Sequence, residues 1–238
     1  KGFNLLRMFN MNYLVSMLKV GVPVGVLGFV EASSFSVIAI MLAPLGALTV
    51  ASHQIALNVT SVLFMLPLGL NFAVTVAVGR FIGAKKSLRE IQDLVISGIF
   101  LSILLALFTS FILLVFHDII PRLYTSDLEV IELVSELLIF ALLFQLPSCL
   151  QIVIFGALKG FQDTLLPMFA SFVAYWVFSV GLGYSLTFNG LYVFEPMGVY
   201  GSWIGLNIGL IVAFTLYFFR LLCVAGPFST EPITKSSL

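Results

Sequence analysis

Charge is scarce in this chain. Eleven basic and eleven acidic residues make up 9% of its 238 positions, whereas a soluble domain has about 25%. The net charge of zero leaves no basic surface for nucleic acid, so we expect no nucleic-acid partner. Because 61% of the residues are hydrophobic and the mean hydropathy is +1.16, too few polar side chains remain to cover a soluble core. This composition predicts a polytopic membrane protein in contact with lipid.

Cysteine and histidine are also rare, with two residues of each. Cys149 and Cys223 fall in different apolar runs, so we expect buried, reduced thiols and no disulfide. His53 falls at the outer end of span two and His117 falls in a different outer joint, so we expect no metal site and interpret His53 as a hydrogen-bonded residue at the membrane interface. The chain has no nucleophile and base pair and no phosphate loop. We therefore expect neither an enzyme nor a cofactor.

Long apolar runs, in contrast, are abundant. Runs of about 20 residues or more predict transmembrane helices, and they cover residues 21–43, 50–79, 94–116, 133–157, 167–188 and 198–224. Strands are not expected, because a membrane barrel needs alternating apolar and polar positions. The sequence thus predicts an all-α membrane domain at 21–224, with possible breaks at Pro67 and Pro147. We expect a cytoplasmic linker and helix approach at 1–20 and a disordered cytoplasmic tail at 225–238.

The basic residues predict the orientation of these spans. If the spans alternate in direction, ten of the eleven basic residues face one side of the membrane and only Arg122 faces the other. The ten are Lys1, Arg7, Lys19, Arg80, Lys85, Lys86, Arg89, Lys159, Arg220 and Lys235. By the positive-inside rule, both ends of the chain are expected in the cytoplasm.

One carboxylate, Glu31, lies in the middle of an apolar stretch with no other charge, Val22 to Leu42. A charged acid at the centre of a membrane helix costs at least roughly 2.5 to 3.5 kcal/mol, and such residues are usually functional. A carboxyl group in this position can exchange a proton or bind a sodium ion. Glu31 is therefore the principal candidate for an ion-binding residue.

Other polar and small residues in the spans suggest contacts. Glycines at 21, 25 and 28 recur at helical spacing, which would let another backbone approach span one closely. The hydroxyls of Ser33 and Ser34 are expected to bond to their own helix. In span four, Gln145, Ser148 and Gln151 surround a proline. We expect a polar break of the helix there, with ligand contacts.

Several short strings along the chain carry a family resemblance. The first are Glu31 to Val37, Ala43-Pro44-Leu45-Gly46, His53-Gln54-Ile55-Ala56-Leu57-Asn58, Phe64-Met65-Leu66-Pro67-Leu68-Gly69 and Val78-Gly79. The later ones are Leu123-Tyr124-Thr125, Phe144-Gln145-Leu146-Pro147, Gly156 to Thr164, Tyr175-Trp176 and Gly198 to Gly205. Together they resemble the multidrug and toxic compound extrusion (MATE) family over about residues 15–220. The likeness is greatest to its NorM-type bacterial branch.

This resemblance implies a fold and a function. Members of the family have twelve helices in two six-helix lobes around a central cavity. They export cationic or amphiphilic drugs in exchange for Na⁺ or H⁺. By resemblance, this chain is the C-terminal lobe, lies in the bacterial inner membrane and has the N-terminal six-helix lobe as its partner. The only ion implied is the coupling cation.

The resemblance also implies roles for individual residues. Glu31 matches the family's carboxylate on helix seven, which is implicated in cation coupling. NorM-type relatives commonly have an aspartate on helix ten where this chain has Ser148, and a serine can neither supply that charge nor accept a proton for coupling. We therefore assign coupling-ion binding to Glu31. The further candidates for the ion or substrate cavity are Ser34, Asn58, Gln145, Ser148, Gln151 and Tyr175.

Alternatives to drug antiport stay open at this point. A flippase of the same superfamily would move a lipid or a lipid-linked oligosaccharide, and charged residues lining a large cavity would favour it. A channel-like homo-oligomer would conduct ions steadily without exchange stoichiometry. The serine at position 148 also leaves open a different coupling ion or stoichiometry, an inactive copy or one half of a split transporter.

Overall fold

The computed structural model describes residues 11–190 and 195–225 and shows six long helices. They are α1 (Met11–Met41), α2 (Ala47–Gly83), α3 (Leu88–Phe116), α4 (Leu128–Gly160), the fifth span (Leu165–Asn189) and α6 (Val199–Ala225). The fifth span begins as α5 (Leu165–Phe172) and continues as π-helix over Val173–Leu182 and Ser185–Asn189. All six are long and apolar enough to cross a membrane. The predicted all-α fold with six spans is thus confirmed for the described residues.

Helix α1 begins within the segment predicted as a linker and helix approach. It starts at Met11, so the second half of the segment 1–20 is helical. Residues 11–20 contain no glycine or proline, and the helix therefore continues directly into span one. Residues 1–10 and the predicted tail beyond Ala225 lie outside the described residues.

Two of the helices, α3 and α4, have side-chain N-caps in the joints that precede them. Before α3, the Ser87 hydroxyl accepts a hydrogen bond from the Glu90 backbone N–H, and the Glu90 carboxylate accepts one from the Ser87 N–H. Before α4, the Asp127 carboxylate accepts a hydrogen bond from the Glu129 N–H. These caps satisfy backbone donors at the helix starts. They allow each new span to begin directly after a short joint.

Neither of the predicted proline breaks occurs. Helix α2 runs unbroken past Pro67, and α4 runs unbroken past Pro147, so the expected polar break in span four is wrong. A proline removes one backbone donor, and packing within a helical bundle tolerates this loss. The departure from α-helical geometry lies instead in the fifth span, at the π-helix Val173–Leu182.

Helix α4 forms the centre of the lobe. In its most apolar stretch 61% of residues are buried, against at most 33% in the other spans. Gly156 and Gly160 let α2 approach closely: a Cβ on Gly156 would lie 2.7 Å from the Asn71 carbonyl oxygen, and one on Gly160 would lie 2.6 Å from the Val78 Cβ. Small residues four positions apart are the usual means of such close packing in membranes.

A second row of glycines brings α6 against the fifth span. Gly201, Gly205 and Gly209 recur at every fourth position, and a Cβ on Gly205 would lie 2.6 Å from the Gly183 Cα. The backbones of the two spans are therefore in direct contact along this row.

The glycines of span one, whose spacing would let another backbone approach closely, have no such neighbour among the described residues. For Gly21, Gly25 and Gly28, no described atom lies within 4 Å of an added Cβ. The spacing of glycines in a sequence indicates a helix face that another helix could approach, but it does not show whether a neighbouring helix lies there. In α1 this glycine face is open in the described part of the chain.

Contacts near the helix ends show that α4 and α6 run in the same direction, as alternating spans require. Near the end of α6, Arg220 pairs with Asp163, just after α4, at 2.5 Å. Near the start of α6, the Tyr200 hydroxyl donates to Glu136 in the first half of α4. The two helices are thus joined by polar contacts at both ends, with the apolar core between them.

Two side chains lie in environments that differ from the predictions. Both cysteines are free, as expected, and Cys149 is buried, but Cys223 is exposed on the surface of α6. His53 is fully buried within the lobe, with its ring edge-on to Trp203 at 5.9 Å between centroids. Neither of its ring nitrogens has a hydrogen-bond partner among the described residues. Its position on α2 faces α6, and the Trp203 ring therefore covers it.

Candidate functional site

A cavity of about 300 Å³ opens beside Glu31, between α1, α2, α4 and α6. Its wall combines one carboxylate with three hydroxyl groups and is otherwise apolar. The lining residues are Glu31, Ala32, Phe35, Leu57, Thr60, Ser61, Phe64, Phe144, Ser148 and Leu210. Among these described residues only Glu31 carries a charge. Glu31 is therefore the side chain that dominates the electrostatics of the cavity wall.

Helix α1 stays regular around Glu31. The Ser33 hydroxyl donates to the Val30 carbonyl oxygen at 3.0 Å, and the Ser34 hydroxyl donates to the Glu31 carbonyl oxygen at 2.7 Å. Both serines thus bond to their own helix, as expected from the sequence. Ser34 is fully buried and does not line the cavity. Glu31 is consequently the group through which this turn of α1 presents polar chemistry to the cavity.

A chain of hydrogen bonds holds Glu31 from the other side. The Tyr175 hydroxyl donates to Oε1 of Glu31 at 3.0 Å, and Nε2 of Gln151 donates to the Tyr175 hydroxyl oxygen at 3.1 Å. Tyr175 is fully buried and Gln151 nearly so, while Glu31 is half-buried. The structure thus brings three predicted site residues from α1, α4 and the fifth span into one network, and Ser148 lines the adjacent cavity.

Two other predicted candidates lie away from this cavity. Oε1 of Gln145 accepts a hydrogen bond from the Thr109 hydroxyl at 3.1 Å, which links α4 to α3. Oδ1 of Asn58 accepts one from the Tyr124 hydroxyl at 2.8 Å, and Asn58 is exposed. Neither residue lines the cavity beside Glu31. In this structure both connect elements of the lobe.

The residues with which α2 lines the cavity were not predicted from the sequence. Leu57, Thr60, Ser61 and Phe64 line the cavity at spacings of three and four, which place them on one helical face. The spacing is visible in the sequence. However, α2 is apolar on all sides, so no amphipathic pattern shows which face meets Glu31.

This arrangement suits a small cation. An ionised Glu31 attracts positive charge, and the rings of Phe35, Phe64 and Phe144 in the wall offer apolar and cation–π contacts. The volume of about 300 Å³ is at the lower end of the range of ligand pockets, roughly 300 to 1,000 Å³. The cavity therefore has room for an ion or for part of an organic cation.

Comparisons with known proteins agree on one family. The MatE family profile matches residues 23–185. The chain is 40% identical over 206 residues to the probable multidrug resistance protein NorM of Shewanella oneidensis, and 40% identical over 190 residues to the multidrug resistance protein MdtK of Proteus mirabilis. These matches cover 86% and 80% of this chain but 44% and 41% of the relatives. The chain thus spans less than half the length of these relatives.

Solved structures show the same fold. The eukaryotic MATE transporter AtDTX14 matches with a TM-score of 0.81 at 19% identity, over 89% of this chain and 46% of that one. A MATE family transporter in its outward-facing conformation gives 0.74 at 19% identity, over 88% of this chain and 44% of that one. An inward-facing conformation gives 0.71 at 17% identity, over 94% and 51%. The six described spans therefore have the fold of one lobe of such a transporter.

Proposed function

Because this chain belongs to the MATE family, we propose that it is the C-terminal lobe of an antiporter that exports small cationic or amphiphilic molecules in exchange for Na⁺ or H⁺. The observation that carries this proposal is the position of Glu31, the one carboxylate among the described residues that line a largely apolar cavity. A membrane-embedded carboxylate costs free energy and marks an ion pathway. The names of the relatives, which are multidrug resistance proteins, support the drug side of the exchange.

A second six-helix lobe is part of this proposal. The chain spans 44% and 41% of the relatives' lengths, and the structural matches cover about half of each transporter chain. The cavity would then be completed by the N-terminal lobe. The remaining contacts to the substrate would come from that lobe.

We place the protein in the bacterial inner membrane with both ends of the lobe in the cytoplasm. Arg220 and Asp163 are paired at one end of the bundle, and Lys159 lies in the last turn of α4, close to Asp163 in sequence. The joint between α2 and α3 adds Lys85 and Lys86. Arg122, by contrast, lies in the joint between α3 and α4. This asymmetry supports the assignment by the positive-inside rule.

Exchange follows if the ion and the substrate favour different arrangements of the two lobes. A ligand shifts a conformational equilibrium only by its differential affinity for the two states. An ion at Glu31 neutralises the charge of the cavity and so weakens its attraction for a cationic substrate. Loss of the ion restores that attraction. Each ligand would thereby favour release of the other, as in alternating-access transporters.

The test is the substitution Glu31→Gln in the complete transporter, assayed in everted membrane vesicles with an imposed Na⁺ or H⁺ gradient and a fluorescent cation. Glutamine keeps the size and hydrogen-bonding capacity of the side chain but cannot exchange a proton or balance the charge of an ion. We expect ion-driven efflux to be lost in this variant. Measured protein levels in the vesicles separate this effect from poor expression.

Glu129→Gln is the matched control. It makes the same chemical change at an exposed carboxylate in the first turn of α4, so efflux should persist. Full efflux in Glu31→Gln would contradict the assignment of Glu31 to coupling.

A further inference from the structure

The hydrogen-bond chain behind Glu31 has a defined direction. Nε2 of Gln151 can only donate, so the Tyr175 oxygen accepts that bond at 3.1 Å. The single proton of the Tyr175 hydroxyl is then directed to Oε1 of Glu31 at 3.0 Å. Tyr175 is fully buried and Gln151 is 2% exposed, so water does not readily replace either partner. The other oxygen of Glu31 stays free of this chain.

The strength of the bond from Tyr175 depends on the state of Glu31. A hydrogen bond to an ionised carboxylate is roughly twice as strong as one between neutral groups. When Glu31 binds a proton, or when its charge is balanced by a cation, this bond weakens. The strength of the hydrogen bond from Tyr175 therefore depends on whether Glu31 holds a proton or a cation, although Tyr175 itself does not line the cavity.

Tyr175 also lies in the least regular part of the bundle. It is the third residue of the π-helix Val173–Leu182. This conformation is rare in proteins, but where it occurs it is often at a functional site. In the same segment Ser179 is fully buried, yet its hydroxyl has no hydrogen-bond partner among the described residues. A buried hydroxyl without a partner costs free energy. The Ser179 hydroxyl thus does not stabilise the π-helix through a hydrogen bond. The hydrogen bond from Tyr175 to Glu31 is one polar contact that joins the π-helix to α1.

We propose that Tyr175, supported by Gln151, is a positioning residue that holds Glu31 and transmits its charge state to the fifth span. The inference rests on the proposed function, since it needs Glu31 to change occupancy during exchange. An ionised Glu31 binds Tyr175 tightly and fixes the π-helix against α1. An occupied Glu31 weakens that tie, so the fifth span can shift relative to α1 as the lobe changes conformation.

Among the described residues, the other titratable group that acts electrostatically on both Glu31 and Tyr175 is Tyr217 of α6, which is buried. Tyr217 makes no hydrogen bond to either of them. The cavity-lining residues of α2 and α4, which are Leu57, Thr60, Ser61, Phe64, Phe144 and Ser148, contribute no charged or titratable side chain. Tyr217 is therefore a matched control: it is a second buried tyrosine beside Glu31 that lacks the bond.

The experiment is infrared difference spectroscopy of the full chain in lipid nanodiscs, recorded as the pH is lowered from neutral. The carbonyl band of protonated Glu31 is the one that Glu31→Gln removes. The ring C–O band of Tyr175 is the one that Tyr175→Phe removes. We expect the Tyr175 band to shift on acidification in the wild type and to stay fixed in Glu31→Gln. We expect the Glu31 band to move to higher frequency in Tyr175→Phe, because its carbonyl loses a hydrogen bond.

Tyr217→Phe should leave both bands where they are. Gln151→Leu should alter the Tyr175 band, because it removes the donor to that hydroxyl, and it serves as the test if Tyr175→Phe loses its helical content. A Tyr175 band that does not respond to acid, or responds equally in Glu31→Gln, overturns the inference. Efflux assays with Glu31→Gln test the proposed function separately. Failure of the inference about Tyr175 is therefore distinguishable from failure of the proposed function.

Discussion

Two polar residues of the apolar spans, Glu31 and His53, have different surroundings in the structure. Glu31 has a cavity on one side and the Tyr175 hydroxyl on the other. His53 is fully buried against Trp203 and has no hydrogen-bond partner among the described residues. A sequence shows both as polar residues within apolar helices. Only their surroundings show that one faces a cavity and accepts a hydrogen bond and that the other is packed as an aromatic ring.

His53→Phe should therefore stabilise the protein. Phenylalanine keeps a ring against Trp203 and removes two buried nitrogen atoms that lack partners, each of which costs about 1 kcal/mol or more. We expect a gain of roughly 1 kcal/mol, seen as a higher midpoint of thermal unfolding in detergent. His53→Ala, the control, loses the packing as well and should lower the midpoint. A lower midpoint for His53→Phe would show that the imidazole has a polar partner.

At the scale of secondary-structure elements, the position of a glycine row matters more than its presence. The row of Gly201, Gly205 and Gly209 on α6 lies against the backbone of the fifth span, whereas an added Cβ at Gly21, Gly25 or Gly28 of α1 meets no described atom. Both rows have the spacing that permits close helix packing. The α6 row supports the π-helical fifth span, and so it indirectly positions Tyr175 beside Glu31.

Alanine at Gly205 should destabilise the lobe, while alanine at Gly25 should not. The new Cβ at Gly205 would lie 2.6 Å from the Gly183 Cα, which is backbone and cannot easily move aside. Overpacking of this kind costs about 1 to 3 kcal/mol. The measurement is the midpoint of thermal unfolding of the isolated chain, followed by size-exclusion chromatography after heating. Equal midpoints for the two variants would contradict the close contact between α6 and the fifth span.

For the whole molecule, the distribution of basic residues predicts which side of the lobe faces the cytoplasm. Arg89 belongs to the start of α3, and Arg122 belongs to the joint before α4; both are exposed. In a background with Cys149→Ser and Cys223→Ser, a membrane-impermeant maleimide added to spheroplasts should label Arg122→Cys. Arg89→Cys should react only after the membrane is opened. The reverse labelling pattern would overturn the proposed orientation.

Much of the fold is determined by the sequence alone. A charged fraction of 9% and six long apolar runs predict a helical membrane bundle. In lipid, the backbone N–H and C=O groups of such a run form their hydrogen bonds within their own helix. The lone position of Glu31 within its span is equally a property of the sequence. The free-energy cost of a carboxylate in the membrane is enough to mark this residue as a functional candidate.

The tertiary structure decided which residues surround that carboxylate. Apolarity on all sides of α2 and α4 removes the amphipathic pattern that would show which face points inward. The sequence therefore could not separate Thr60, which lines the cavity, from Asn58, which does not. Nor could it show that the fifth span would become π-helical and bring Tyr175 within 3.0 Å of Glu31. Such contacts depend on how the helices pack against one another, and that packing joins residues 144 positions apart in the chain.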